Sequence, residues 1–493
     1  MTEITIAWIA LPLFVGFAIY LLPNLARPFA LMVGLVSTVY SLYLFLLDST
    51  VEIQLLDNFG VSLMLDPLSG WFILTNSLVT VAVIFYCWQT GKAAFFYLQL
   101  VMLHGSVNAT FICADFISLY VALEVISIAA FLLIAYPRSD RSIWVGLRYL
   151  FVSNTVMLFY LIGAVLVYQA NNSFHYSGLL AAPIEAIALI FLGLLGKGGI
   201  FVSGFWLPLT HSESETPVSA MLSGVVVKAG VFPLVRLALM LEEIDPIVRL
   251  LGVATALLGV GCAVFAKDTK RMLAFHTISQ LGFILAAPVV GGFYALTHGL
   301  VKSALFLLAG NLPSRKFKEL KSLPLEPKIW LALAIASFSI SGFPLLAGFG
   351  AKVLTTKNLL PWQTIAMNIA ALGTAISFAK FIFLPRRKFS RHPDTLKESD
   401  KTKLQSGFWW AMAILLGGLV VTNVVYYEAY TVKNLVKPIL TILAGWSVYL
   451  LVIKKISLKI PRGSERFDDL LGSMSLMLIL LFWIIWTQIR FST

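Results

Sequence analysis

Residues 187–206, IALIFLGLLGKGGIFVSGFW, and residues 219–237, SAMLSGVVVKAGVFPLVRL, decide the fold class. Each is an apolar run of about twenty residues, the length an α-helix needs to cross a bilayer core. Each also carries a lysine inside the run, Lys197 and Lys228. Runs of this length recur near 5–23, 28–47, 67–88, 94–113, 115–136, 146–169, 185–208, 217–240, 247–266, 272–290, 292–312, 329–356, 362–384, 407–425, 437–454 and 471–489. About sixteen membrane helices are therefore predicted. Continuous apolar runs in place of period-two alternation exclude a β-barrel.

Composition agrees. Of 493 residues, 59% are hydrophobic and 12% charged, with a mean hydropathy of +0.89. A soluble domain carries about 25% charged residues. An ordinary cytosolic globule and a disordered chain are excluded. Cys87, Cys113 and Cys262 lie in separate apolar runs, without a CxxC or a Cys/His cluster. Neither a haem, an iron–sulfur cluster nor a structural zinc is supported, and no cofactor or metal is expected. The first run lacks a basic leader and a small-residue cleavage site, so it reads as the first span. Residues 50–66, TVEIQLLDNFGVSLMLD, alternate apolar and polar and predict a small extramembrane hairpin.

The net charge of +12 is distributed by loop. Loops after odd-numbered runs hold Arg27, Lys92, Arg138, Arg141, Lys267, Lys270 and Arg271. Further on they hold Arg315, Lys316, Lys318, Lys321, Arg386, Arg387, Lys388, Arg391, Lys455, Lys459, Arg462 and Arg466. Loops after even-numbered runs hold Asp48, Glu52, Asp57, Asp66, Glu242, Glu243 and Asp245. The positive-inside rule then puts both termini on the non-cytoplasmic side. One loop breaks the pattern: that with His211, Glu213 and Glu215 is on the cytoplasmic side of the count but has no basic residue. The charge is a topology signal and calls for no nucleic-acid partner.

A charge at the bilayer centre costs at least about 2.5–3.5 kcal/mol on insertion scales. Several runs carry one nevertheless: Glu124 in DFISLYVALEVISIAAFLLIAY, Arg148 in WVGLRYLFVSN, and Lys197 and Lys228 as above. His298 and Lys302 sit in ALTHGLVKSALFLLAG, Lys352 closes SGFPLLAGFGAK, and Lys380 lies in LGTAISFAKFIFL. Lys380 and Arg148 are near enough to helix ends to snorkel; Glu124, Lys197 and Lys228 are deep. The pairs Glu124/His276, Arg148/Lys302, Lys197/Lys352 and Lys228/Lys380 are offset by 152–155 residues. That predicts a duplication of about five helices, inverted in the membrane, as in many ion-coupled transporters. Gly196, Gly198 and Gly199 surround Lys197, and Gly342, Pro344, Gly348 and Gly350 precede Lys352. Glycine and proline there predict two broken helices. The organisation read from these signals is 1–93 N-terminal helices and hairpin, 94–240 first repeat, 247–385 second repeat and 386–493 C-terminal helices.

The segment GKGGIFVSGFWLPLTHSESETPVSAMLSGVVVKAG resembles the core of the antiporter-like membrane subunits shared by respiratory complex I, its photosynthetic relatives and Mrp-type Na+/H+ antiporters. KDTKRMLAFHTISQLGF, THGLVKSALFLLAGN and SGFPLLAGFGAK resemble it too, in family order, over roughly residues 65–385. The resemblance implies an all-α polytopic fold with a core of about fourteen helices and about two extra C-terminal ones. It implies a proton pathway through Glu124, Lys197, Lys228, His298, Lys302 and Lys352, with Arg148, His211, His276 and Lys380 as further candidates. Arg148 stands where many members have lysine, and arginine hardly deprotonates. His276 stands where serine or threonine is usual, and the HSESETP loop is longer and more acidic than the usual form.

Physical chemistry gives the same mechanism. Burial disfavours the charged form of a lysine and a nearby carboxylate restores it. Moving Glu124 relative to Lys197 would then switch that lysine between holding and releasing a proton. The proton would pass through water to Lys228, His298, Lys302 and Lys352, histidine being a suitable relay near neutrality. Three readings follow. One is a proton-translocating subunit of a multisubunit Na+/H+ antiporter, most like the D-type member of the Mrp set. The second is a proton-pumping subunit of a complex I-like oxidoreductase, powered by redox chemistry in partner subunits. The third is an inert scaffold. PVSAMLSGVVVKAG, the RGSERFDDLLGSMSLM tail and the lack of room for a long lateral helix favour the first. No GxGxxG, GxxxxGK[ST] or HExxH marks an enzyme. The expected partners are other hydrophobic subunits, among them a homologous antiporter-like subunit, with H+ and Na+ as transported ions. The expected setting is a bacterial-type inner membrane, or else a thylakoid.

Overall fold

The computed structural model describes residues 2–56, 60–387, 404–456 and 466–492, with side chains to 487. Asp57, Lys388, Arg391, Lys459, Arg462 and the turn of the hairpin lie outside the described residues. The chain begins with α1 (Thr2–Leu21) and α2 (Ala26–Leu44), then β1 (Val51–Leu56) and β2 (Gly60–Leu65). These strands pair antiparallel in the register Val51↔Leu65, so the expected hairpin is present. α3 (Pro67–Cys87), α4 (Ala94–Thr110), α5 (Phe116–Ile134) and α6 (Asp140–Asn171) follow. Aspartates start two of them where sequence puts a polar residue before an apolar run. Asp66 accepts from Ser69 N at 2.9 Å, and Asp115 from Ser118 N at 2.7 Å. Each such cap contributes about 1 kcal/mol.

The next rod is broken: α7 (Ile184–Gly198), a 3₁₀ stretch Phe201–Trp206, then α8 (Leu207–Glu213). The following one is α9 (Thr216–Met221), a π turn Leu222–Val226 and α10 (Lys228–Met240). α11 (Asp245–Phe265), α12 (Thr269–Ala286), α13 (Gly291–Ala309) and the short α14 (Phe317–Leu320) lead to a second broken rod, α15 (Pro327–Ser341) and α16 (Ala347–Lys357). α17 (Pro361–Ile382), α18 (Ser406–Val425), α19 (Val432–Val448) and α20 (Phe467–Ser492) complete the described chain.

Among the described residues sixteen rods match the sixteen apolar runs, counting each broken pair as one. Thirteen are long and apolar enough to cross a membrane. The others are α4, the more polar α12 and the α15/α16 pair. The centre is built by α3, α9–α10, α12 and α13; every described residue of α13 is buried. α1, α2 and α19 present large apolar side chains outward, as lipid-facing rods do. The C-terminal rods are not an appendage at one edge. α18 packs on α3, α13 and α16; α19 lies on α17; α20 lies on α7 and the 3₁₀ stretch after it.

Contacts sort the loops to two ends of the bundle. At one end Lys92 donates to both oxygens of Glu215 at 2.7 and 2.8 Å, and Arg141 meets Glu213 at 3.3 Å. Lys270 donates to the Ser214 carbonyl at 3.0 Å, and Arg315 pairs with Asp268 at 3.2 Å. The acidic loop that lacked basic residues is therefore neutralised by basic residues of other loops counted to its own side. At the other end the hairpin joins the start of α5, where Ser62 N donates to Asp115 at 2.8 Å. Arg249, from the loop-proximal turn of α11, donates to the Ala286 and Asn358 carbonyls at 3.1 and 3.0 Å.

Candidate functional site

The first break explains how Lys197 is presented. Gly199 ends α7 with φ +67°, and Phe201 follows at φ 51°, so the chain turns out of the helix immediately after the lysine. Glycine takes such φ values without strain. Lys197 is 3% exposed. Its Nζ donates to the Leu123 carbonyl at 2.7 Å, to Ser153 Oγ at 2.9 Å and to Ser127 Oγ. The two serines also bond each other at 2.8 Å. The ammonium is thus cradled by α5 and α6. Glu124, next to Leu123 on α5, is not in ion-pair contact with it: Glu124 Oε1 is buried with no hydrogen-bond partner. Glu124 as a whole is half-buried rather than deep.

Lys228 follows the π turn. A π turn adds one residue and frees carbonyls from the ordinary ladder. Lys228 Nζ donates to one of these, the Gly224 carbonyl. The lysine is 0% exposed. A Cβ on Gly299 would stand 3.4 Å from that Nζ, so the glycine after His298 lets α13 approach the amine. His298 is buried on α13 with neither ring nitrogen bonded by protein. One turn on, Lys302 donates to the Leu273 carbonyl of α12 and lies 5.3 Å from the Phe306 ring centroid.

Two histidines flank Lys302. His211 stacks on Phe306, the ring beside that lysine, with centroids 5.1 Å apart. His276 packs on Phe378 at 4.7 Å, one turn beyond Leu273. Both are fully buried, and all four of their ring nitrogens lack a protein hydrogen bond. Lys352 lies on α16, after the second break. Gly342 (φ 86°) and Leu345 (φ 81°) form that break, and a Cβ at Gly342 would come within 2.8 Å of Lys352 Cδ. Its Nζ has no hydrogen-bond partner and sits 5.6 Å from the Phe283 ring centroid. The residue is half-buried.

Two candidates stand apart from this row. Lys380 donates to the Ala263 and Ala266 carbonyls at 3.3 and 2.9 Å, capping the end of α11. Arg148 is buried on α6, on the helix that carries Ser153.

Two features were missed at the sequence level. Arg236, within a run already singled out for Lys228, forms a two-pronged pair with Asp66 and donates to Ser69 Oγ at 2.9 Å. This ties α10 to the start of α3. Burial would push the Asp66 carboxyl up, but Arg236 and the Ser69 amide outweigh it and hold it below the usual carboxylate range. The second is a buried polar network between α1, α2, α3 and α4. His104 bonds Thr80 Oγ1 at 3.0 Å and Ser37 Oγ at 2.9 Å. Asn76 reaches the His104 carbonyl at 2.9 Å and Asn108 at 2.8 Å, and Trp8 donates to Ser37 at 3.2 Å. Polar residues inside the runs HGSVN and TNSLVT were the available signal.

Residues 113–377 match the family described as NADH:quinone oxidoreductase/Mrp antiporter, transmembrane. The D-type component of a Na+/H+ antiporter from Alkalihalophilus pseudofirmus is 27% identical over 69% of this chain and 76% of its own length. The N-type component of an NADH-quinone oxidoreductase from Desulforudis audaxviator is 29% identical over 66% of this chain and 72% of its own. Among solved structures, a chain of an archaeal membrane-bound sulfane sulfur reductase superposes with a TM-score of 0.75 at 20% identity, covering 91% of this chain and 99% of that one. A chain of the Mrp complex from Dietzia sp. gives 0.69 at 20% identity, covering 94% and 99%. The fold is that of antiporter-like membrane subunits.

Proposed function

We propose that this chain, which belongs to the NADH:quinone oxidoreductase/Mrp antiporter membrane family, is the proton-translocating subunit of a multisubunit Na+/H+ antiporter of the Mrp type. The observation that carries the reading is a row of buried basic groups, Lys197, Lys228, His298 and Lys302, none of which pairs with a carboxylate among the described residues. Taking one ion out of water still costs several kcal/mol after relaxation. A static scaffold has no use for that cost, whereas a relay needs groups that gain and lose a proton in place. Similarity to the D-type component of an antiporter supports the cation-coupled form.

In this mechanism Lys197 has two positions. On the Ser127/Ser153 cradle it meets three neutral oxygens and no carboxylate; swung towards Glu124 it is held as an ammonium by the carboxylate. Moving from Glu124 to the cradle takes the counter-charge away, and the proton then passes towards Lys228, then His298 and Lys302, then Lys352 at the second break. Water reaching the unbonded nitrogens of His298, His276 and His211 would complete the path. Coupling to Na+, the neighbouring hydrophobic subunits and non-cytoplasmic termini are parts of the same proposal. Similarity to the N-type component of an NADH-quinone oxidoreductase favours the second reading, a proton-pumping subunit of a complex I-like enzyme. Proton movement in vesicles, started by a Na+ gradient in one arm and by a redox substrate in the other, separates the two. The site itself is tested by Lys197→Arg, which keeps the charge but cannot release a proton at accessible pH. Loss of transport with intact assembly is expected, and full transport would reduce position 197 to fixed charge and remove the relay.

A further inference from the structure

We propose that a groove at the basic end of the bundle binds the headgroup of an anionic phospholipid. The groove lies between the last turns of α11 and α17, the end of α19 and the loop that carries α14, and has a volume of about 1050 Å³. Nine basic and two acidic residues line it. Both carboxylates are already engaged: Glu213 with Arg141 at 3.3 Å, and Asp268 with Arg315 at 3.2 Å and with the Arg271 amide at 3.0 Å. Lys318, Lys321 and Lys454 meet no carboxylate among the described residues within ion-pair distance. Among the described residues the rim therefore carries uncompensated positive charge around a space large enough for a phosphodiester.

The wall beneath the rim has the opposite character. Phe265, Phe383, Tyr449 and Ile453 line it, all from the terminal turns of long apolar helices. Phe383 is 44% exposed, and α19, which ends at the groove, presents Leu440 and Leu443 outward within the two turns before it. A cationic rim at the end of the spans, continuous with an apolar outer wall, matches a molecule with a phosphate above and acyl chains below. Free phosphate would use the rim and leave the wall unused. An acidic peptide would leave the apolar strip along α19 uncovered. Basic pockets between transmembrane helices on the side facing anionic leaflets are the setting in which such headgroups bind. This inference does not rest on the transport reading, since it uses none of the relay residues.

The test uses the full-length protein purified with whatever subunits accompany it, placed in phosphatidylcholine nanodiscs. The probe is a photoactivatable phosphatidylglycerol. Labelled peptides should map to 311–325 and 449–456. Unlabelled phosphatidylglycerol should compete, and phosphatidylcholine and inorganic phosphate should not. The variant Lys318→Gln/Lys321→Gln/Lys454→Gln should lose labelling by about tenfold or more. Should the variant fail to assemble, the labelling map and the competition series on the unmodified protein decide alone. Equal competition by phosphatidylcholine would make the groove an ordinary lipid contact, and competition by inorganic phosphate would make it a free-anion site. Absence of label there, with the groove covered by another subunit, would make it a protein interface. Any of the three overturns the proposal.

Discussion

Replacing Lys228 by methionine separates transport from folding. In the structure this side chain has 0% exposure and a single hydrogen bond, to the Gly224 carbonyl. One bond to a charged group contributes about 1.5–3 kcal/mol. Against it stands the residual penalty of burying an ion, several kcal/mol. A neutral amine at the same place escapes that penalty but still hides polar N–H groups with too few acceptors. Either way Lys228 costs stability where it sits. Methionine fills nearly the same volume with a flexible apolar chain, and substitutions of buried charge by packed apolar groups are neutral or stabilising by about 1–4 kcal/mol. Lys228→Met should therefore give an unchanged or higher Tm in detergent, with unchanged co-purification of partner subunits. Proton transport in vesicles should be abolished, because Lys228 is the only basic group between Lys197 and His298 in the proposed relay. A variant that unfolds would mean that the lysine has a structural partner the geometry does not contain. A stable variant that transports normally would sink the relay.

Three other expectations follow from particular contacts. Ser127→Ala/Ser153→Ala removes two of the three acceptors of Lys197, about 1.5–3 kcal/mol each; transport should fall at least tenfold with normal assembly, and an unaffected rate would show that the cradle is incidental. Arg236→Met leaves Asp66 buried without its counter-charge and should cost about 3–5 kcal/mol, read as a lower Tm. The sign with pH is fixed by the depressed Asp66 carboxyl: the contribution of the pair is present above the ordinary carboxylate range and is lost as pH falls through the lowered value, so the gap between parent and variant should close in acid. Glu215→Gln removes an ion pair with Lys92 that is partly exposed, so a stability loss under about 1 kcal/mol is expected; a collapse of assembly would mean that this loop carries more than its own charge.

Much of the fold was legible because membrane helices are written as composition. Sixteen apolar runs gave sixteen rods, and the odd–even alternation of charge anticipated which loops meet at each end. The loop of Glu213 and Glu215 broke the pattern in sequence, since its compensating charges, Lys92, Arg141 and Lys270, come from elsewhere in the chain. Loop charge counts only local residues, and only packing reveals the partners. The His104 network was invisible for a related reason. Asn76, Thr80, His104 and Asn108 are neutral, so no charge rule flags them, and single polar residues within apolar runs look incidental until neighbouring helices bring them together.

The two breaks show where sequence offset and geometry part. Lys197 and Lys352 are separated by 155 residues, close to the other offsets that suggested a duplication. The strained positions are not: Gly199 and Gly342 lie 143 apart, and Phe201 and Leu345 lie 144 apart. Lys197 therefore ends the helix before its break, while Lys352 begins in the helix after its break. Sequence saw glycine near lysine in both places and could not rank the order, since glycine flanks Lys197 on both sides. The order has a physical consequence. The C-terminus of a helix carries partial negative charge and its N-terminus partial positive charge. Lys197 lies in the last turn of α7, where this field favours a cation, whereas Lys352 lies midway along α16, outside the turn over which the field acts. The proposed relay needs a device that releases the proton of Lys197, and the Ser127/Ser153 cradle beside an unbonded Glu124 oxygen gives its amine two alternative places to stand.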